Sequence, residues 1–235
     1  EKKYKKYENY KQPRIVSVNV DVNIFPSTRD VNASGEYVMI NKTKEAIDSI
    51  FLDHNSLIST FKFDKETDLV SEDTIYNLDI YKLGTPLYPG DSLKLSFSLK
   101  NKPNTVLRNN SQIIYNGTFI NSSIFPSLGY SLGELRDDKT REKYDLPPNK
   151  LKPHPSDSTS LGNTYIAKDA DWIDFEATVS TSKDQIAIAP GYLQKEWIEG
   201  DRRYFHYKMD SKILNFYAFN SAKYEVLKDK WNDVN

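Results

Sequence analysis

Three segments of the chain alternate apolar and polar residues without interruption. Valine and isoleucine fill every second position from Val16 to Ile24, and leucine and phenylalanine do so from Leu93 to Leu99. Residues 172–180 repeat this alternation. Because successive side chains of a strand point to opposite faces, each segment predicts a β-strand with one face buried and the other in water.

Weaker signals complete the series and define the predicted fold class. Pro-Gly-Asp at 89–91 predicts a turn before the second strand, and Ser34-Gly35 predicts a turn before a returning strand at 36–41. Further strands are predicted at residues 47–53, 57–63, 76–82, 186–189, 204–209 and 214–224. We therefore predict an all-β, antiparallel fold of two packed or strongly curved sheets, saddle-like or sandwich-like.

The middle of the chain breaks this pattern. Between about residues 121 and 168 the alternation is lost and prolines accumulate, which predicts a long irregular loop. One short surface helix is predicted within the loop, from Ser131 to Tyr144, because Ser131 and Glu134 have capping-box spacing. The predicted division of the chain is a charged linker or short helix at residues 1–12 and a single β-domain at residues 13–235.

Charge and composition narrow the classes of partner. The chain has 32 basic and 33 acidic residues, so its net charge is -1 and no nucleic-acid partner is predicted. No apolar run approaches the ~20 residues needed to span a bilayer, and there is no cysteine. Residues 1–11 contain five lysines, which is typical of a linker, a short helix or a segment near an anionic membrane surface.

The three histidines predict neither a zinc site nor a catalytic centre within this chain. His54, His154 and His206 are far apart in sequence, whereas the H-E-x-x-H zinc motif needs two histidines one helical turn apart. His154 and Asp157 are close in sequence, but no third ligand lies near them. We therefore predict no catalytic residue, no metal ligand and no cofactor in this chain.

Two groups of acidic residues are interpreted as solvated carboxylates. They are Glu134, Asp137 and Asp138 on the predicted helix, and Asp169, Asp171 and Asp174 around Trp172. Neither group has the alternating oxygen ligands and glycine of a calcium-binding loop, so no ion is assigned to them.

Two stretches carry a resemblance to known proteins. Residues 113–148 read IIYNGTFINSSIFPSLGYSLGELRDDKTREKYDLPP, with Phe125-Pro126 near the centre. A Phe-Pro-centred segment between strands resembles the N-terminal β-domain of the aminopeptidase N family of zinc metallopeptidases. Residues 171–197, DWIDFEATVSTSKDQIAIAPGYLQKEW, also resemble bacterial membrane proteins in which a peptidase-like region is joined to a transporter-type permease.

The resemblance implies a function for the chain as part of a larger protein. It implies a non-catalytic N-terminal domain that packs on a zinc-binding catalytic domain, absent from this chain, and shapes its cleft. Zinc is then expected only in that catalytic domain, which is expected to follow Asn235, and a peptide substrate would contact this chain indirectly. The implied location is the extracytoplasmic face of a bacterial membrane, reached through the full-length protein.

The resemblance also implies which residues face the cleft. In active members of the family, a Gln some ten residues before the Phe-Pro pair helps to hold the free N-terminus of the substrate. The corresponding zone here begins at Tyr115, contains no Gln, and places Asn116, Gly117, Thr118 and Phe119 at the expected cleft-facing edge. Substrate handling by the full-length protein is therefore expected to differ from that of ordinary aminopeptidases.

A second hypothesis comes from a different class of protein. Aromatic residues make up 13% of the chain. Exposed aromatic rings on a β-sandwich are a common surface for binding sugars. The alternative function is therefore an independent extracytoplasmic β-sandwich that binds carbohydrate or protein.

Overall fold

The computed structural model describes residues 3–7, 9–54, 58–101, 112–129, 137–148, 153–158, 169–227 and 229. This part of the chain contains fourteen strands and one short α-helix, so the predicted all-β class is confirmed. The strands are β1 (Arg14–Phe25), β2 (Asp30–Ile40), β3 (Ile47–Asp53), β4 (Ile58–Phe63), β5 (Thr67–Asp73), β6 (Leu78–Leu87), β7 (Ser92–Asn101), β8 (Thr118–Asn121), β9 (Ser127–Leu128), β10 (Ala170–Ser182), β11 (Ile186–Ile188), β12 (Tyr192–Glu199), β13 (Arg202–Lys208) and β14 (Ala218–Ala222), and the helix is α1 (Asp138–Lys143). Within the described residues, no helix is long and apolar enough to cross a membrane.

The strands form three sheets. The large sheet has seven strands in the order β12-β13-β10-β1-β2-β7-β4, and the smaller sheets have the orders β5-β6-β3-β9 and β11-β14-β8. Strands β1 and β10 pair in parallel, whereas β1 with β2 and β10 with β13 pair in antiparallel fashion. The predicted antiparallel arrangement therefore holds around a parallel centre, which the sequence pattern did not predict.

The two smaller sheets pack on one face of the large sheet. Val20 of β1, Ile50 of β3 and Phe219 of β14 are buried in the same hydrophobic cluster, so all three sheets contribute to one core. Burial of apolar surface contributes about 25 cal/mol per Å², which makes this shared core the main source of stability. The predicted packing of sheets is confirmed.

A β-bulge changes the face of one valine that the alternation assigned to the core. Val16 was predicted to share the buried face with Val18, but the register of β1 shifts between Ile15 and Ser17 against both neighbouring strands. The extra residue places Ile15 in the core and leaves Val16 only half-buried. A bulge inserts one residue, and sequence alternation alone does not reveal it.

Gly35 does not form the predicted turn. Ser34 and Gly35 lie inside β2, and the turn occurs earlier, at residues 26–29. A Cβ atom on Gly35 would lie 2.6 Å from the Asn19 carbonyl oxygen and 2.7 Å from Val20 Cγ1. Glycine is therefore required at this position for close packing of β2 on β1, and its conformational freedom is not used.

The observed helix is shorter than the predicted one. Helix α1 begins at Asp138, and Asp137 caps it by accepting a hydrogen bond from the Thr140 N–H at 3.0 Å. Ser131 and Glu134 of the predicted capping box lie outside the described residues. The predicted strand at 214–224 shortens to β14, and strands β5, β8, β9 and β12 were not predicted.

Residues before the first strand pack on the four-stranded sheet. Tyr4 is buried, and the ring of Tyr7 lies 4.9 Å from that of Phe51. The side chain of Gln12 donates to the Ser49 carbonyl oxygen and accepts from the Phe51 N–H, at 2.9 and 2.8 Å. These two bonds imitate a neighbouring strand along β3. Whether the domain begins at residue 13 stays a prediction.

Replacing Gly35 with alanine is expected to destabilise the protein by about 1–3 kcal/mol, because the new methyl group meets the Asn19 carbonyl oxygen, a backbone atom of β1 that cannot move independently, and the buried Val20 side chain. Chemical denaturation of both proteins measures this difference. Gly84→Ala is the matched control, since the three atoms nearest to its Cβ belong to the exposed, flexible Glu66 side chain, at 3.1 Å or more. Equal effects of the two substitutions would contradict the packing argument.

Candidate functional site

The four residues expected at a cleft-facing edge lie at the start of β8 and in the turn before it. We call residues 113–119 the Asn116 loop. Thr118 is buried, and its hydroxyl donates to the Ile114 carbonyl oxygen at 3.0 Å and accepts from the Ile114 N–H at 3.1 Å. Gly117 has a φ of 92°, in the left-handed region that favours glycine. Thr118 and Gly117 therefore determine the shape of the loop.

A series of buried, hydrogen-bonded polar side chains holds the Asn116 loop in place. Gln185 Nε2 donates to the Tyr115 carbonyl oxygen at 2.7 Å, and Gln185 Oε1 accepts from the Ser221 hydroxyl at 2.6 Å. Because Ser221 uses its only proton on Gln185, the Thr181 hydroxyl donates to Ser221, at 2.6 Å. Gln185, Ser221 and Thr181 are buried, so each bond replaces contacts with water.

The Asn116 loop is also bound to the chain that follows β14. The backbone N–H of Lys223 donates to Asn116 Oδ1 at 2.8 Å, and that of Gly117 donates to the Ser221 carbonyl oxygen at 3.2 Å. The Lys223 ammonium pairs with Asp184 at 2.7 Å and lies 5.3 Å from the centre of the Tyr115 ring. The hydrogen bond from Lys223 lowers the pKa of Asp184. The Asn116 amide oxygen therefore holds the loop in place.

Phe119 is the predicted residue that faces outward. The register places it beside Asn220, and Asn220 beside Ile188, in one row on the outer face of the three-stranded sheet. Phe119 is 53% exposed and Ile188 41% exposed. Other exposed apolar side chains of this region are those of Ile114, Tyr115 and Tyr224. We call these five apolar residues the exposed apolar surface. That they face a cleft stays a prediction.

The Phe-Pro segment is an anchor in the core. Phe125 is buried, with its ring centre 5.6 Å from that of Tyr217 and 6.0 Å from that of Phe97. Immediately afterwards, β9 pairs with β3, and the Leu128 N–H donates to Asp169 Oδ2 at 3.2 Å. The segment thus links the three-stranded sheet to the four-stranded sheet, and the sequence resemblance did not reveal this role.

Asp169 departs from its predicted solvated position. It was expected to point outward with Asp171 and Asp174, but it precedes β10 and turns towards Leu128. Asp171 and Asp174 do form surface ion pairs, with Lys42 and Lys212. Burial raises the pKa of Asp169. Asp137 of the other acidic group caps α1, and Glu134 lies outside the described residues.

Each histidine has a local partner. His54 Nε2 lies 3.3 Å from an Asp79 carboxylate oxygen, and His206 Nε2 lies 2.7 Å from Glu176. His154 Nδ1 lies 2.8 Å from the Ser156 hydroxyl. In the part of the chain that the structure describes, no three histidine or carboxylate side chains are grouped so that they could hold a metal ion.

Comparison with known proteins gives a structural likeness only. No protein-family model and no curated protein sequence matches the chain. An M1 zinc metallopeptidase from Deinococcus radiodurans matches 88% of this chain with a TM-score of 0.54 and 12% identity. A mutant two-domain M1 zinc metallopeptidase bound to L-tryptophan has a TM-score of 0.53 and 12% identity, and a Deinococcus radiodurans mutant bound to a Tyr-Ser-Ala substrate has 0.52 and 13%. The latter two matches also cover 88% of this chain.

The likeness establishes a shared fold. Our chain spans 42% of the length of each of these metallopeptidase chains. The structural neighbours therefore come from the family that the sequence resemblance indicated, and the match accounts for only part of those enzymes. The resemblance to proteins with a permease region stays a prediction.

Replacing Gln185 with leucine is expected to destabilise the protein by about 1–3 kcal/mol, because the Ser221 O–H loses its acceptor and the Tyr115 carbonyl oxygen loses its donor. Urea denaturation measures the stability, and hydrogen exchange should show faster exchange of the Gly117 amide. Gln194→Leu is the matched control, since Gln194 bonds only to the Tyr192 carbonyl oxygen on an exposed strand. An unchanged Gly117 exchange rate would show that the buried chain does not hold the loop.

Stability is expected to fall as the pH rises from about 4 to about 7 through the titration of Asp53. Burial raises the pKa of Asp53 to about 6, nearby Asp169 adds to the increase, and His54 opposes it. The protonated form is therefore favoured in the folded state, and its stabilising contribution disappears above the folded pKa. Asp53→Asn should remove this part of the pH dependence. Parallel pH profiles of unfolding for the two proteins would contradict the expectation.

Proposed function

We propose that this chain is a non-catalytic β-domain that packs on the zinc-binding catalytic domain of an M1-type metallopeptidase and shapes its cleft. The observation that carries the proposal is the fold, which matches 88% of this chain to 42% of an M1 zinc metallopeptidase. One of the structural neighbours is described as a two-domain enzyme. A domain of this size leaves room in such a protein for a separate catalytic domain.

The chemistry of zinc peptidases determines which role each domain would have. In a zinc peptidase, the metal lowers the pKa of a bound water and polarises the substrate carbonyl. That task needs three protein ligands and an open coordination position, which we assign to the partner domain. This chain contributes surface, and a peptide substrate would contact it only where the two domains meet.

The exposed apolar surface of the three-stranded sheet supports a partner on this side. Phe119 and Ile188 lie in one row, Tyr115 is an exposed residue of the Asn116 loop, and Tyr224 is the exposed residue after Lys223. Covering such side chains stabilises a complex by about 25 cal/mol per Å² of apolar area removed from water. Neighbouring apolar side chains that face water are typical of a surface that another protein covers.

The Asn116 loop is suited to form a wall of a cleft. Gln185 and Ser221 fix its backbone and the Lys223 N–H fixes the Asn116 side chain, so its outward side chains would meet a substrate with little loss of conformational entropy. Tyr115 occupies the zone in which active family members carry a substrate-binding Gln. We infer that a cleft with this wall offers a ring and a nearby ammonium group in place of an amide.

The whole protein is proposed to lie at the extracytoplasmic face of a bacterial membrane. Support for this location comes from the sequence resemblance of residues 171–197 to peptidase-like proteins joined to a permease. The independent β-sandwich that binds carbohydrate or protein is the alternative.

The size and metal content of the native protein test the proposal. An antibody against this domain, applied to fractions of native cells, should detect a membrane-bound protein far larger than 27.2 kDa. The purified native protein should contain zinc and hydrolyse an aminoacyl nitroanilide. A soluble, zinc-free protein near 27.2 kDa would overturn the proposal and favour the alternative.

The contact between domains has its own test. Phe119→Ser in the full-length protein should weaken packing between the two domains by about 1–2 kcal/mol, since the ring would no longer be buried. Proteolysis between the domains should accelerate, while the isolated β-domain keeps its melting temperature. Trp172→Ser is the control, because Trp172 is 59% exposed and lies at the start of β10, outside the exposed apolar surface. If both variants behave alike, the proposed surface is wrong.

A further inference from the structure

The large sheet ends in a strand that contributes no buried side chain to the core. Among the described residues, β12 is the edge strand on this side, pairs only with β13, and is exposed throughout except at the half-buried Trp197. Half of its eight residues are nevertheless apolar: Tyr192, Leu193, Trp197 and Ile198. An edge strand presents unpaired N–H and C=O groups, so an edge with apolar side chains is a template for pairing with another strand.

A β-bulge limits the part of β12 that can pair further. The register of β12 against β13 shifts between Leu193 and Lys195. Bulges twist an edge away from additional strands, so the first residues of β12 are poorly suited to pairing. From residue 195 to residue 199 the register is regular, which leaves a segment of five residues open. We call residues 195–199 the open edge segment. Five residues is a common length for a paired strand.

The register shows which side chains of the open edge segment share a face. Glu196 lies opposite Phe205, which is buried in the core, so Glu196 and Ile198 are on the core side of the sheet. The remaining side chains of the segment are on the outer face: Lys195, Trp197 and Glu199. The outer face of the segment therefore has an aromatic ring between a cation and an anion.

Two copies of the open edge segment complement each other in one antiparallel register. Residues directly opposite each other in an antiparallel pair point to the same face, so outer residues must meet outer residues. When Trp197 lies opposite Trp197 of a second copy, Lys195 lies opposite Glu199 of that copy and Glu199 opposite its Lys195. Opposite charges in such positions stabilise a strand pair. All five residues of each segment are paired in this register.

Neighbouring registers are less favourable. A shift by one residue would place outer side chains opposite core-side ones, which the alternation of a strand does not allow. A shift by two residues leaves only three residues of each segment paired, and in one direction it also places Glu196 opposite Glu196 of the second copy. Like charges directly opposite each other are destabilising. The charges and the length of the segment therefore select the register centred on Trp197.

We propose that the open edge segment binds a second copy of the chain, so that two large sheets join edge to edge in a two-fold symmetric dimer. Trp197 stacks on Tyr204 with ring centres 5.1 Å apart and planes 11° apart, and the dimer extends this pair into a row of four rings. Because the segment faces its own copy, the contact closes and does not continue into a filament. One short strand pair makes a small interface, so the dimer is weak.

The dimer does not depend on the proposed function. β12 lies outside the exposed apolar surface, and its pairing leaves that surface uncovered.

Reversal of the two outer charges tests the inference by analytical ultracentrifugation of the intact chain. We expect a monomer–dimer equilibrium with a Kd on the order of 100 µM. Lys195→Glu and Glu199→Lys should each weaken the dimer by about tenfold, because each turns two attractive cross-strand pairs into repulsive ones. The double variant Lys195→Glu/Glu199→Lys restores both attractive pairs, so its Kd should return to within about threefold of the original value.

The controls separate this edge from other surfaces. Lys62→Glu makes the same charge change at an exposed position of β4, on the opposite edge of the sheet, and should leave the Kd unchanged. Lys195 and Glu199 are exposed, so their variants should keep the melting temperature of the original chain. A chain that stays monomeric at about 1 mM would overturn the inference. So would a double variant that does not recover, or a dimer that is lost in Lys62→Glu or in Phe119→Ser.

Cysteine cross-linking tests the register. The chain has no cysteine, so a single introduced thiol reports only on its own neighbours. Trp197→Cys should form a disulfide-linked dimer on mild oxidation, because opposite Cα atoms in an antiparallel pair are about 4.5–5.5 Å apart. Lys195→Cys is the matched control, since its two thiols would be separated by roughly 13 Å along the strands and should cross-link far more slowly. Equal cross-linking rates for the two variants would contradict the register.

Discussion

The parallel pairing of β1 with β10 is the constraint on which the rest of the structure depends. β1 has β2 on one side and β10 on the other, so it joins strands from the two ends of the chain in one sheet. Both smaller sheets pack on its buried face and form the core with it. A change of register by one residue would turn every apolar side chain of β1 outward. The alternation from Val18 to Ile24 therefore determines how β1 pairs with β2 and with β10.

Sequence alternation predicted the strands whose two faces have different surroundings. β1, β7 and β10 each have one face on the core and one in water, so apolar buried residues alternate with polar exposed residues along their sequences. β12 carries no buried residue, and β8 and β9 are too short to show a period, so none of them was predicted. Gly35 was wrongly predicted to lie in a turn, because glycine occurs both in turns and where two strands pack closely. Only the position of the neighbouring strand distinguishes the two cases.

The sequence indicated the region of the candidate site but not the contacts that hold it. The Phe-Pro resemblance directed attention to residues 116–119, among which the Phe119 side chain is exposed, and a cleft at this edge stays a prediction. The groups that hold the loop, Gln185 and Ser221, come from distant parts of the sequence and carry no motif.

The hydrogen-bond chain through Gln185 has a consequence for synthesis of the protein on the ribosome. The Asn116 loop emerges early, yet the groups that fix it lie at Thr181, Gln185 and Ser221. Growing chains elongate at about 5–20 residues per second, so roughly 100 residues of delay correspond to several seconds or more. During that interval the nascent loop has no fixed shape, and a ligand that needs its finished form cannot bind before β14 has joined the sheet.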